Sequence, residues 1–154
     1  MKKLLILTAA AILAGCATTD HRDAAVLLEF RTASESPGPG LTEMTVTGSE
    51  HTVYVSDEAV LSNADVKSAR VVARADVPQI EVVFTETGAE RFAELTANNI
   101  GKPFAILVDG ALISAPEIRQ RITGGTALIT GSFSDEEAKR IADGIAGRQT
   151  GGTQ

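Results

Sequence analysis

The feature that most constrains this fold is an Asp-Gly pair set between two apolar runs. Phe104–Val108 precedes Asp109-Gly110, and Ala111–Ser114 follows it. A two-residue turn of type I′ needs positive φ at both central residues, which Asp and Gly adopt at low cost. The spacing therefore predicts a tight β-hairpin, and the unbroken apolar run before the turn indicates that its first strand is buried.

Alternating apolar residues and turn signals predict further strands on both sides of the hairpin. A turn is expected at residues 76–78, and Pro116 should stop the hairpin and begin a helical turn at Glu117. Gly124-Gly125 should end that turn and introduce the last strand. Residues 34–43, which contain Pro-Gly-Pro-Gly, are predicted to form a loop. Besides the hairpin, the predicted strands are 25–32, 45–55 with its core at 53–55, 69–75, 79–85 and 127–130.

Two amphipathic helices are predicted from capping signals. Thr87 and Glu90 form a Thr-x-x-Glu capping box at the start of the first helix, and Gly101 is placed to end it. Ser134 opens the second helix ahead of an acidic first turn, and Gly147 should end it. Strands combined with two helices predict an α+β fold, a mainly antiparallel sheet with two helices packed on one face. The predicted buried positions are Ala89, Phe92, Ala93, Leu95, Ile100, Ala138, Ile141, Ala142 and Ile145.

The first fifteen residues resemble a bacterial lipoprotein signal peptide. Lys2-Lys3 is a positive n-region, and residues 4–13 form an apolar segment too short to span a bilayer. The segment ends in Leu-Ala-Gly-Cys, which resembles a lipobox and implies cleavage before Cys16 and acylation of its sulfur. An ordinary secretory signal with an incidental Cys16 is the alternative. Because the chain has 1 Cys, an intrachain disulfide is excluded.

These signals divide the chain into a signal peptide at 1–15, a lipidated tether at 16–23, one domain at 24–147 and a disordered tail at 148–154. The residues between Cys16 and the domain reach at most about 25 Å. The domain is therefore expected close to a bilayer of the cell envelope and facing the periplasm. Ala17 after the Cys is similar to the sorting signal of outer-membrane lipoproteins, which favours the outer over the inner membrane.

Charge and composition exclude several classes of function. The net charge is −6, which argues against nucleic acid as a partner, because phosphate backbones select clustered Lys and Arg. His21 and His51 lie apart on polar stretches, and no Cys or His cluster has the spacing of a metal site. We expect no metal and no cofactor.

Residues with the types needed for catalysis have plainer explanations. Ser114 has no base near it in sequence, and Ser134 is better explained as a helix N-cap. The acids at 86, 90 and 94 allow a carboxylate pair, but a solvated helix face explains them better. We therefore predict no catalytic residues and no enzyme.

Five residues are candidates for binding. Gly124 and Gly125 could cradle an anion with their N–H groups, although a steric turn explains them better. Asp109 and Gly110 belong to a turn, but an exposed hairpin tip on a rigid scaffold can carry a contact. Ser114 completes this set.

One family resembles this chain from Val53 to Ile145. The ordered series Asp-Gly, Ile-Ser-Ala-Pro, Gly-Gly, Ile-Thr-Gly and Phe lies between 101 and 139, and Val82–Ala89 with Phe92 adds to it. This pattern resembles the head subdomain of the first periplasmic domain of SecD and SecDF, membrane components of the protein-export machinery. The resemblance implies a surface that contacts emerging polypeptide. The family also has transmembrane helices that couple proton flow to movement, and none is predicted after Cys16.

The combined expectation is a membrane-anchored periplasmic lipoprotein whose SecD head-like domain binds extended polypeptide or an envelope or Sec protein, without catalysis. One route is β-augmentation, in which a peptide pairs with an open sheet edge. The alternative is a structural or assembly lipoprotein of the envelope with no polypeptide client.

Overall fold

The computed structural model describes residues 25–150 of the 154-residue chain, and their side chains as far as Gly147. The predicted signal peptide, tether and acylated Cys16 lie outside the described residues, as does the tail from 151. The described residues form eight strands, a short 3₁₀ helix at Asn63–Asp65 and two α-helices. The bounds are β1 Leu28–Ser34, β2 Leu41–Thr45, β3 Thr52–Ser62, β4 Val66–Arg74, β5 Val77–Phe84, α1 Glu86–Asn98, β6 Phe104–Val108, β7 Ala111–Ser114, β8 Thr126–Ile129 and α2 Asp135–Thr150.

The predicted α+β class with antiparallel strands is confirmed, but residues 25–150 form two sheets where one was expected. The larger sheet has the order β2-β3-β1-β6-β7, and the smaller one has the order β4-β5-β8. Every strand pair in both sheets is antiparallel. The short 3₁₀ helix lies between β3 and β4, where the chain first passes from one sheet to the other.

The five-stranded sheet curls until its two outer strands meet. The N–H of Thr47, just after β2, donates to the carbonyl of Leu112 in β7 at 2.8 Å. The face enclosed by this closure holds a small apolar core of its own. Its buried members are Ala33, Val53, Val55, Ala105, Leu107 and Leu112.

A second and larger core joins both sheets to both helices. Four phenylalanines meet in it, with ring centroids 4.9–6.3 Å apart. Phe30 and Phe104 come from the five-stranded sheet, Phe84 from β5 and Phe92 from α1. Because Ile141 and Ile145 of α2 belong to the same cluster, the two helices lie on the same side, as predicted.

The predicted hairpin at Asp109-Gly110 is confirmed. The φ angles there are 50° and 81°, as a type I′ turn requires. The turn was predicted at 76–78, but it is made by Ala75 and Asp76, whose φ angles are 49° and 61°. Pro78 lies inside β5 opposite Ala73.

The N-cap of the first helix lies two residues before the predicted one. The Thr85 hydroxyl accepts a hydrogen bond from the Gly88 N–H at 3.0 Å, so Thr85 and not Thr87 is the N-cap. Ile100, predicted to be buried, lies beyond the helix and is 56% exposed. Gly101 has a φ of 81° but follows the C-cap residue Asn99 by two positions.

Two other predicted boundaries were wrong. The second helix does not end at Gly147 but continues to Thr150, so residues 148–150 of the predicted tail are helical. The helical turn expected at Glu117 does not form. Residues 115–125 are irregular, and Glu117 instead forms an isolated antiparallel bridge with Pro103.

Candidate functional site

The hairpin tip proposed for binding has a structural role in the fold. The N–H of Leu27 donates to Asp109 Oδ1 at 2.8 Å, and the Asp109 N–H donates to the Leu27 carbonyl at 2.8 Å. Asp109 therefore fixes the chain where it enters β1. The Gly110 φ of 81° completes the turn.

Gly124 and Gly125 lie where the chain enters β8. The Gly125 carbonyl accepts a hydrogen bond from the Phe84 N–H at 2.9 Å, which starts the pairing of β8 with β5. Gly125 has a φ of 65°, and a Cβ there would lie 3.2 Å from the Cβ of Ala89. A turn that requires glycine explains this position, since both the φ angle and the space favour it.

Ser114 is not brought together with the other four candidates. Pairing puts Asp109-Gly110 and Gly124-Gly125 at the end of the sheets where β1 begins, whereas β7 runs away from that end towards Ser114. Ser114 lines a shallow cavity of about 330 Å³ beside the loop between β2 and β3. The five residues therefore do not form one site.

A larger groove lies between β8 and the irregular segment after β7. Its volume is about 460 Å³, and Phe92 and Phe104 of the shared core contribute to its lining. Ile118 and Ile122 come from the irregular segment, and Leu128 comes from β8. The groove is therefore lined mainly by apolar surface and borders a strand.

The side of β8 that faces away from β5 pairs with no strand among residues 25–150. The Gly125 carbonyl points towards Phe84 of β5, and backbone groups alternate in direction along an antiparallel strand. The backbone N–H and C=O groups of Ala127 and Ile129 therefore point to β5, and those of Thr126 and Leu128 point away from it. Both outward-pointing residues also line the groove.

The opposite wall of the groove is fixed by hydrogen bonds. The Phe104 N–H donates to the Pro116 carbonyl at 3.0 Å, and the Ile118 N–H donates to the Lys102 carbonyl at 2.9 Å. The hydroxyl of Thr96, which is 0% exposed, accepts from the Ile122 N–H at 2.9 Å. The groove is thus held in shape, and binding within it would not require the wall to become ordered first.

Few charged side chains line this groove. Its charged side chains are Glu117 and Arg119, and both are exposed. Within the described ranges no group of three or more His, Cys, Asp or Glu side chains could hold a metal ion. The groove offers main-chain donors and acceptors along one side and apolar surface along its lining.

This groove could not be predicted from the sequence, although a strand was predicted at 127–130. Gly-Gly before a short apolar run indicated the strand, but no signal in the run indicated which edge would stay unpaired. The irregular wall was predicted to be helical.

None of the helices in the described part of the chain is both long enough and apolar enough to cross a membrane.

Comparison with known proteins gives one consistent result. Residues 41–147 match the family model of the SecDF P1 head subdomain. The SecDF protein translocase subunit of Thermus thermophilus is 49% identical over 84 residues, which are 54% of this chain and 11% of that protein. The SecD subunit of Acidaminococcus fermentans is 43% identical over 84 residues, which are 54% of this chain and 20% of that protein.

Solved structures agree with the sequence matches. The structure described as SecDF, a membrane component that enhances protein export, superposes with a TM-score of 0.67 at 32% identity. The match covers 80% of this chain and 63% of that one. A SecDF structure in a super-membrane-facing form superposes equally well, over 80% of this chain and 19% of that one.

The chain therefore corresponds to a small part of its curated relatives, between about a tenth and a fifth of their length for the two named above. The match includes β2–β8 and most of α2, with the groove between β8 and the segment after β7. This chain belongs to the SecDF P1 head subdomain family, whose members are related to protein translocation.

Proposed function

We propose that this chain is a lipid-anchored protein of the cell envelope whose head-like domain binds extended polypeptide without catalysis, in support of protein export. The observation that carries the proposal is the unpaired edge of β8 beside an apolar groove of about 460 Å³. An extended segment lying in that groove would pair with β8 as an added strand.

Strand addition suits a client that varies in sequence. The outward N–H and C=O groups of Thr126 and Leu128 offer up to four main-chain hydrogen bonds, which any non-proline segment can satisfy. Alternate side chains of the bound segment would face the apolar lining that includes Phe92 and Phe104. Affinity then comes from the main chain and from apolar burial, and neither demands one particular sequence.

The anchor is the second part of the proposal. Acylation of Cys16 would hold the mature chain at the bilayer, and several acyl chains on one N-terminus give stable attachment. The described chain begins with a fixed segment, since the Val26 N–H donates to the Gly144 carbonyl and the Asn63 side chain bonds both Val26 and Leu28. Ala17 favours the outer membrane as the site of attachment.

Peptide binding tests the recognition proposal. Leu128→Pro removes an outward N–H but no hydrogen bond to β5, so it should weaken binding of a labelled peptide of alternating Val and Thr by about tenfold or more. The matched control is Val71→Pro, which removes an outward N–H from β4 and should leave this binding unchanged. Fluorescence anisotropy on the full chain in detergent measures both.

Two results would contradict the recognition proposal. One is binding no stronger than that of a scrambled lipoprotein control, and the other is equal affinity of the Leu128→Pro and parent chains. A stable stoichiometric complex with an envelope protein that survives Leu128→Pro would instead support a structural role. The melting temperature of each variant confirms that it is folded.

Metabolic labelling tests the anchor separately. Cys16→Ser should abolish incorporation of labelled palmitate, because the acceptor sulfur is lost. Incorporation that persists in this variant, or that is absent from the parent chain in a bacterial host, would rule out the lipoprotein assignment while leaving peptide binding to be judged by its own experiment.

A further inference from the structure

The three-stranded sheet has a second unpaired edge on β4. Strand β4 spans Val66–Arg74 and pairs with β5 alone among residues 25–150. The register sets Arg74 opposite Val77 across the two-residue turn, so Arg74, Val72 and Arg70 direct their backbone groups to β5. The backbone groups of Ala69, Val71 and Ala73 therefore point away from the sheet.

A groove lies beside this edge and is separate from the groove at β8. Its volume is about 400 Å³, and one wall is the face of α2 that carries Asp135, Lys139 and Asp143. Ala69 and Val71 form the other wall, and Val71 is 37% exposed. A strand added here would direct alternate side chains into a space bordered by small apolar residues and by charges of both signs.

The opposite face of β4 carries two arginines, one of which is paired with Glu81 of β5. Arg70 and Arg74 lie on this face with Val72 between them, because successive side chains alternate. Arg70 Nη2 lies 2.5 Å from Glu81 Oε1, while in the described part of the chain no ion pair is recorded for Arg74. Strand β4 contains three basic residues and no acid, whereas the whole chain has a net charge of −6.

We propose that the β4 edge binds an extended acidic segment of a partner protein. Antiparallel pairing would set partner residues opposite Arg70, Val72 and Arg74, and opposite charges paired across strands stabilise a sheet. The segment that fits has Glu or Asp at two positions four residues apart, an apolar residue midway, and small residues at the positions facing α2. This inference does not depend on binding at β8.

A second copy of this chain fits the same edge less well. Two registers would place Arg70 of one copy opposite Arg70 or Arg74 of the other. The Cβ atoms of these like-charged residues would then lie about 4.5–5.5 Å apart, which is destabilising. The register centred on Val71 avoids this contact but gives neither arginine an acidic neighbour. Lys67 lies at the bulge between Val66 and Ser68, and both features limit pairing at that end of the strand.

The test uses a labelled peptide with the core Glu-Ala-Val-Ala-Glu and a matched peptide with Lys in place of each Glu. We expect the acidic peptide to bind the full chain about tenfold more tightly than the basic one, because two attractive pairs replace two repulsive ones. The difference should shrink as salt is raised, since these charges are exposed. Arg74→Glu should reduce or reverse the preference.

Backbone pairing is tested without altering the protein. N-methylation of the peptide amides that face Val71 should abolish binding, while N-methylation of amides on the other edge should not. Val71→Pro should also abolish binding, and Leu128→Pro should not, which separates this edge from that of β8. Equal binding of the Glu and Lys peptides, or no effect of either N-methylation, would overturn the proposal.

Oligomeric state supplies an independent outcome. Sedimentation of the full chain in detergent should give one copy per particle for the parent and for Val71→Pro. A dimer that Val71→Pro dissociates would show that β4 binds a second copy, and it would overturn the acidic partner.

Discussion

The outer strands of one sheet are joined to each other, whereas the outer strands of the other sheet each have an unpaired edge. The five-stranded sheet closes on itself through the bond from Thr47 to Leu112 and fills the enclosed face with its own apolar core. The three-stranded sheet shares its core with both helices and leaves the outer edges of β4 and β8 unpaired within residues 25–150. Each of those edges runs beside a groove.

Exposed edges invite pairing with other chains, and proteins that do not use them usually close or blunt them. Here one sheet has its outer strands joined, and the other has a bulge with Lys67 at one end of β4 only. Under the proposed function and the inference drawn for β4, the two unpaired edges of the three-stranded sheet are the binding surfaces.

The largest predicted effect tests whether the two sheets unfold as one unit. Phe30→Ala removes the ring that contacts Phe84, Phe92 and Phe104, so the free energy of unfolding should fall by about 4 kcal/mol. Circular dichroism and differential scanning calorimetry should both show a single unfolding transition. Two separated transitions would mean that the sheets are independent.

The next effect concerns the contact between α1 and the 3₁₀ helix that joins the sheets. A Cβ on Gly88 would lie 2.3 Å from the Asp65 carbonyl oxygen, which is backbone and cannot move cheaply. Gly88→Ala should therefore cost about 3 kcal/mol in urea unfolding.

Gly147→Ala is the matched control for this substitution, because it is also within a helix and a Cβ there meets nothing within 4 Å. It should stabilise the chain by about 0.5–1 kcal/mol, since alanine is the better helix former. Equal effects of the two substitutions would contradict the close approach of Gly88 to Asp65.

A smaller effect is expected where the five-stranded sheet closes. Thr47→Pro removes the N–H that bonds Leu112 and should cost about 1 kcal/mol. Hydrogen exchange in β7 should accelerate while exchange in β5 stays unchanged. Thr47→Ala keeps the N–H and should leave both rates as they are, and unchanged exchange in both variants would argue against closure.

The smallest effect compares the hairpin turns of the two sheets. Ala75 and Asp109 are the first turn residues, with φ angles of 49° and 50°. Ala75→Gly should stabilise by about 0.5 kcal/mol, because glycine relieves a left-handed alanine. Asp109→Gly should destabilise, since the carboxylate that accepts from Leu27 is lost. Thermal unfolding measures both variants: the melting temperature should rise for Ala75→Gly and fall for Asp109→Gly, and a change in the same direction for both would contradict this comparison.

The hairpin at Asp109-Gly110 could be predicted because its turn residues and flanking runs are local. The helices could be predicted for the same reason, but their ends could not. Thr85 and Thr87 are both residue types that cap helices, and only the structure shows that the Thr85 hydroxyl accepts from the Gly88 N–H. Gly147 does not end α2, which continues to Thr150, because a glycine costs a helix only about 0.5–1 kcal/mol relative to alanine and does not by itself stop it.

The division into two sheets could not be predicted from local pattern. β2 was missed because Glu43 and the nearby Pro and Gly residues favoured a loop, and its pairing with β3 is a long-range contact. The candidate site depended on the same information. Leu128 is proposed as a binding residue only because the register with β5 shows which way its backbone N–H and C=O point.

Hydrogen exchange at β8 tests the central claim most directly. The Thr126 and Leu128 amides point away from β5 and should exchange rapidly in the free chain. Adding saturating alternating Val-Thr peptide should slow both by about tenfold or more, with no change at Asp109. Unchanged exchange at Thr126 and Leu128, or protection confined to β7, would contradict recognition at this edge.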